Sequence, residues 1–291
     1  MDKFKGIFSA LVTPLDKNDN VNTKSLEQLV KFNIKQGVKG FYVGGSTGES
    51  FLMDVNERIK VIETVKENAK NSTLIAHVGC LNEKDAVLLG KKAYELGYDA
   101  VSSVAPVYFK YSFEDIKNYY NRLADETGLP MLVYHIPALS GVNMGVNEIS
   151  QFLSDDKFLG IKYTSNDFFT MERCKTAFPN KIIYNGYDEM FVSGLAMGAD
   201  GAIGTTYNFM GDKFVKIHKL FLDGKIDKAR EIQAEANGII EILIKAGVMP
   251  ATKEILNQLG INVGVCRRPF SEVSDENKKL IAEKVIPLLG V

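Results

Sequence analysis

The feature that most constrains this chain is a pattern stated eight times: a short apolar run that reads as a strand, then a longer stretch with helical spacing. The strand-like runs are Gly6 to Pro14, Gly40 to Gly45, Thr73 to Gly79, Ala100 to Pro106, Met131 to Pro137, Phe158 to Ser165, Lys181 to Gly186 and Gly201 to Tyr207. Each gathers apolar, aromatic or β-branched residues between turn signals. The helical stretches lie near Thr23 to Gln36, Asp54 to Lys70, Asn82 to Leu96, Ser112 to Thr127, Val146 to Leu153, Asp167 to Phe178, Glu189 to Met197 and Gly211 to Leu222. Several meet a glycine stop, as at Gly37, Gly97, Gly128 and Gly198. Strands and helices alternating every ~25 to 35 residues predict a parallel sheet with crossover helices. Eight is the number that closes, so the expected fold is α/β, a (β/α)8 TIM barrel. No G-x-G-x-x-G follows the first run, as an open dinucleotide-binding sheet would require. The last part is helical only, over Asp227 to Lys245, Ala251 to Leu259 and Asp275 to Leu289. The division expected is a barrel catalytic domain over 1–223 and a C-terminal helical extension, 224–291, packed on it.

Charge removes several classes of partner. The 35 Lys and Arg and 36 Asp and Glu are interspersed, giving a net charge of -1, so neither nucleic acid nor an acidic membrane surface is expected to bind. No apolar run approaches a membrane span, and the start, Met1-Asp-Lys-Phe-Lys-Gly6, has no long apolar segment behind its charges. A cytoplasmic protein is the expectation. Cys80, Cys174 and Cys266 are widely spaced, which indicates neither a disulfide framework nor a zinc site.

In a barrel of this kind the chemistry sits where the strands end. Those positions hold Thr13, Ser46 and Thr47, His77, Tyr134 and His135, Lys162 and Thr164, Gly186 and Asp188, and Thr205, with Tyr108 just beyond the fourth strand. Lys162 stands where an apolar run turns polar, an odd place for an ammonium group. Partial desolvation there favours the neutral, nucleophilic amine of a Schiff-base lysine. A lysine whose stem lies on apolar surface and whose head reaches water fits the same spacing. Gly44-Gly-Ser-Thr-Gly-Glu49 lies between a strand and a helix, and its free N–H groups and hydroxyls suit a carboxylate, although an ordinary glycine-rich turn reads alike. Tyr134 offers a phenol to shuttle a proton, or a core tyrosine with a satisfied hydroxyl. Asp188 and Glu189 suit sugar hydroxyls, or complement a helix N-terminus. One amine with several hydroxyls suits a small carbonyl compound that becomes covalently attached and then deprotonated. A metal-dependent aldolase lacks its ligands, with only His77, His135 and His218 and no H-x-x-x-H. A phosphate isomerase would not place Asp188 and Glu189 where a phosphate grip belongs.

Three motifs in order, Gly44-Gly-Ser-Thr-Gly-Glu49, Tyr134-His-Ile-Pro-Ala-Leu-Ser-Gly-Val142 and Gly160-Ile-Lys-Tyr-Thr-Ser165, resemble the family of pyruvate-dependent class I aldolases that includes dihydrodipicolinate synthases and N-acetylneuraminate lyases. The resemblance covers nearly the whole chain. It implies that Lys162 forms an imine with the keto carbon of a 2-keto acid, that Tyr134 gives and takes the proton, and that Ser46 and Thr47 hold the substrate carboxylate. The synthase branch carries an arginine where this chain has Leu139, which leaves a second carboxylate without a partner. Leu139, Thr164 and Gly186-Tyr-Asp-Glu189 are similar instead to the neuraminate-cleaving branch. That likeness implies a polyol grip from Gly186, Asp188 and Glu189. Gly204-Thr-Thr-Tyr-Asn208 stands where that branch has G-S-T-[YF]-N, so Thr205 keeps the hydroxyl and adds a methyl. Tyr108 matches a tyrosine that in the family joins a relay across a subunit interface, which implies a homotetramer built as a dimer of dimers. No metal or organic cofactor is implied. The expected activity is aldol cleavage of open-chain N-acetylneuraminate; a 2-keto-3-deoxy sugar acid lyase, a 4-hydroxy-tetrahydrodipicolinate synthase and a non-catalytic sialic-acid-binding barrel are the alternatives.

Overall fold

The computed structural model describes residues 1–290. Eight strands, β1 (Gly6–Ala10), β2 (Gly40–Val43), β3 (Thr73–His77), β4 (Ala100–Val104), β5 (Met131–His135), β6 (Phe158–Tyr163), β7 (Ile182–Asn185) and β8 (Gly201–Gly204), run parallel in sequence order around a closed barrel. Pairing of Gly6 with Gly201 through Ser9 with Gly204 joins the last strand to the first. Every strand residue is buried, because helices cover the outer face and side chains fill the inner one. Alternation sorts them: Phe8, Tyr42, Ile75, Leu132 and Ile203 pack inside the barrel, while Ile7, Phe41, Val43, Leu74 and Ile183 meet the helices. A 3-10 turn, Asp2–Phe4, plugs the N-terminal end, where the Tyr184 hydroxyl donates to the Phe4 carbonyl.

The covering helices are α1 (Thr23–Lys35), α2 (Val55–Asn68), α3 (Glu83–Glu95), α4 (Phe113–Thr127), α5 (Pro137–Ser140), α6 (Val146–Leu153), α7 (Phe168–Ala177), α8 (Phe191–Ala196) and α9 (Tyr207–Leu222). Their starts are set by side chains that accept orphan N–H groups, Asn22 on Ser25, Asp54 on Glu57, Asn82 on Lys84 and Ser112 on Asp115. Beyond them α10 (Ile226–Ala246), α11 (Val248–Gln258) and α12 (Asp275–Lys284) follow, with α10 packed along α9.

Several boundaries differ from the sequence expectation. The first strand stops at Ala10; beyond it the chain turns to other partners, Thr13 Oγ1 donating to the Gly48 carbonyl at 2.9 Å and the Leu15 N–H to Val263 O at 3.0 Å. The last strand ends at Gly204, and α9 starts at Tyr207 rather than Gly211. Its first turn is held by Asn208, whose amide donates to Ala10 O and Thr205 O, and the helix kinks at Met210. The stretch Glu189 to Met197 splits into a 3-10 turn, Asp188–Met190, and α8. Helix α12 ends at Lys284, because Pro287 lacks the N–H donor that would continue it.

Candidate active site

The amine reaches the mouth through an irregularity in one strand. Pairing of β5 with β6 slips between Met131–Phe158 and Leu132–Gly160, so Leu159 and Gly160 oppose a single step on β5. Such a bulge reverses the side-chain phase of the residues after it. Ile161 and Tyr163 therefore pack on the helix side, and Lys162, paired with Tyr134, points inward. Gly160 has φ 157° and a Cβ there would lie 1.8 Å from Ile182 O, so only glycine fits the bulge.

Lys162 is 5% exposed. Its Nζ sits 4.0 Å from the centroid of the Tyr134 ring and 4.5 Å from that of Tyr42. Among the described residues no carboxylate forms an ion pair with it. Aromatic faces hold an ammonium by about 0.5 to 2 kcal/mol, far less than a buried carboxylate would. The nitrogen is thus buried, reachable and not committed to a partner. Tyr42 meets Tyr134 edge to face at 5.9 Å and donates to Ser102 Oγ, which in turn donates to Leu132 O. Burial drives the Tyr42 hydroxyl well above its ordinary pKa, which makes this phenol a fixed donor and a wall. His77 Nε2 accepts from the Val104 N–H, so its Nδ1 carries the proton and donates to Gly44 O at 3.0 Å. Burial and the Arg58 cation hold this imidazole well below its usual range, and it stays neutral.

A cavity of about 560 Å³ opens at this end of the barrel. Lys162, Tyr134, Ser46, Thr47, Thr164, Gly186, Asp188, Glu189 and Thr205 all line it, whereas Thr13, His77 and His135, also placed at strand ends by the sequence, do not. Ser46 and Thr47 occupy a short 3-10 turn after β2, and Thr47 Oγ1 lies 2.7 Å from Thr205 Oγ1. That contact ties the ends of β2 and β8 across the mouth. Thr164 Oγ1 is buried with no hydrogen-bond partner. Gly186 is obligatory beside it, because a Cβ would meet Thr164 Oγ1 at 1.9 Å. Asp188 Oδ2 accepts from the Thr206 N–H at 2.8 Å and its hydroxyl at 2.7 Å. Burial nonetheless pushes the Asp188 carboxyl up to about 6, the Thr206 hydrogen bonds and the Lys162 cation pulling the other way.

Tyr108 lies farther off. It is 89% exposed, with its ring 5.0 Å from that of Phe109, and it does not reach the cavity of its own chain. Residues missed by sequence reasoning include Tyr42, whose inward alternation on β2 was the available signal, and the apolar outer wall. That wall comes from Ile240 and Ile244 of α10, Val248 and Met249 of α11, and Phe270, all far along the chain and recognisable only once the extension is folded back. Among the described residues, no group of three or more His, Cys, Asp or Glu is placed to hold a metal ion, and no helix is long and apolar enough to cross a membrane.

A closed eight-stranded barrel with a buried amine inside its mouth, a phenol against it and hydroxyl donors around it has the makings of an imine-forming aldolase. The profile of the dihydrodipicolinate synthetase family matches residues 3–286, and the chain belongs to that family. It is 44% identical over 284 residues to N-acetylneuraminate lyase 2 of Escherichia coli O6:H1, a match spanning 97% of this chain and 93% of that protein. A structure from Clostridium difficile in complex with mannosamine superposes with a TM-score of 0.94 at 40% identity, covering 96% of this chain and 97% of the other. N-acetylneuraminate lyase of Fusobacterium nucleatum complexed with pyruvate gives a TM-score of 0.92 at 40% identity over 97% and 96%.

Proposed function

We propose that this protein is a carbon–carbon lyase that cleaves open-chain N-acetylneuraminate into N-acetylmannosamine and pyruvate through an imine on Lys162. The observation that carries the reading is the unpaired Lys162 amine, buried beside Tyr134 in the cavity that also holds the hydroxyl and carboxylate grips. The amine adds to the C2 ketone and water leaves, giving a protonated imine that acts as an electron sink. Tyr134 takes the proton of the C4 hydroxyl, the C3–C4 bond breaks, and its electron pair moves into the imine to form an enamine. A proton returned to C3 and addition of water then release pyruvate and restore the amine. Ser46 and Thr47 hold the carboxylate, Thr164 and Thr205 offer hydroxyls, and Gly186, Asp188 and Glu189 grip the polyol. Relatives named N-acetylneuraminate lyase, one of them solved with pyruvate, and a relative solved with mannosamine support the assignment.

Residues 1–223 act as the barrel and residues 224–290 as an extension that closes one side of its mouth, Val291 lying outside the described residues. The working state is a cytoplasmic homotetramer. The three cysteines are unpaired, as in a reducing compartment, and the exposed rings of Tyr108, Phe109 and Tyr111 form an apolar cluster suited to a subunit interface. A cleavage assay tests the function: release of pyruvate from N-acetylneuraminate well ahead of unacetylated 2-keto-3-deoxy sugar acids supports it. Preference for the keto-deoxy acids, or no cleavage of either, overturns it.

A further inference from the structure

We infer that the C-terminal extension sets the two halves of the substrate grip separately, through two clamps that share no residue. The inference rests on the lyase reading. One clamp holds the carboxylate side. Glu49 ends the turn that carries Ser46 and Thr47 and has φ 58°, a left-handed conformation that a non-glycine residue keeps only when held. Its Oε1 lies 2.6 Å from Lys253 Nζ of α11, with the two side chains 0% and 1% exposed. Its Oε2 accepts from the Arg267 N–H at 2.7 Å. Lys253 is fixed in turn by donating to Val265 O at 2.9 Å, and the Arg267 guanidinium donates to Leu52 O at 2.7 Å, just past the same turn. A dry ion pair therefore fastens the turn to α11 and the segment after it.

The other clamp holds the polyol side. On α10, Gln233 and Asn237 stand one helical turn apart and hydrogen-bond to each other at 2.9 Å. Gln233 Nε2 donates to Asp188 O at 3.1 Å, and its Oε1 accepts from Val192 N at 3.2 Å. Asn237 Nδ2 donates to Glu189 O at 3.1 Å. The backbone of both acidic residues is thus pinned from behind by one helix. Glu49, Lys253, Gln233 and Asn237 do not line the 560 Å³ cavity, so they act as positioning residues.

Condensation of pyruvate with N-acetylmannosamine tests this, because each half of the grip then has its own KM. Asn237→Ala should raise the KM for N-acetylmannosamine roughly tenfold and move that for pyruvate less than about twofold, as expected when one set of contacts is displaced by a fraction of an ångström. Glu49→Gln combined with Lys253→Met leaves no buried charge alone, and should do the reverse. Single-site Lys253→Met is the harsher version of the same arm, and the double variant stands in for it if it does not fold. Equal shifts of both constants in either variant, or a fall in kcat with neither KM changed, overturn the inference. A wild-type chain that condenses neither compound overturns the lyase reading itself, and this inference with it.

Discussion

The floor of the barrel and the cavity in its mouth treat their lysines in opposite ways. At the N-terminal end Lys175 lies 2.7 Å from Asp200 and also donates to Pro179 O and Lys181 O, while Lys181 donates to Asp155 O and Phe158 O. Both half-buried ammonium groups there are engaged by acceptors. At the mouth Lys162 has only ring faces, and Thr164 Oγ1 has nothing. A fold tolerates such unpaired groups where a ligand completes them, and places the cost against the well-satisfied remainder. The contrast separates groups kept for the structure from groups kept for chemistry, and substitutions can break it.

The largest effect belongs to the mouth. Lys162→Met should lower turnover by at least about 10³-fold while leaving the thermal midpoint unchanged or higher, since no partner is stranded. Loss of folding instead would move Lys162 to the structural side. Tyr134→Phe should reduce kcat by about 10² to 10³-fold with little change in pyruvate affinity, the signature of a proton-transfer group. Equal losses in both would make the phenol a wall. Gly186→Ala, which drives a methyl into Thr164 Oγ1, should raise the KM for the sugar acid more than tenfold, roughly, and spare pyruvate trapping.

A smaller effect comes from pH. With its carboxyl raised to about 6, Asp188 is protonated below that point and cannot accept a second hydroxyl proton; the KM for the sugar acid should fall roughly tenfold between pH 5 and 7, and the step should vanish in Asp188→Asn. Stability runs the other way. The native site binds the proton more tightly than the unfolded chain, so the contribution of this group is full below its unfolded value near 3.8 and is lost as pH rises through about 6. The smallest effect on turnover is expected at the floor: Lys175→Met should leave kcat/KM within about twofold yet cost about 2 kcal/mol of stability, because Asp200 loses its cation. A large loss of turnover there would erase the distinction between the two ends.

Much of this was legible in the chain because it is local. Eight apolar runs with glycine stops are short-range signals, and an amine at the end of one of them stands out against its neighbours. The bulge at Leu159 and Gly160 was not legible, since nothing in the run Phe158 to Tyr163 says which side Lys162 will face until β5 sets the register. Nor was the Glu49–Lys253 pair, whose members are brought together only by the folded extension. Tyr108 shows the converse: a motif position named it, and the folded chain leaves it outside its own cavity, facing solvent.

The most direct test is reduction with borohydride in the presence of pyruvate, followed by peptide mass mapping. The account predicts one carboxyethyl group per chain, on Lys162, and none in Lys162→Met. An adduct on another lysine, or labelling that survives the substitution, would contradict it.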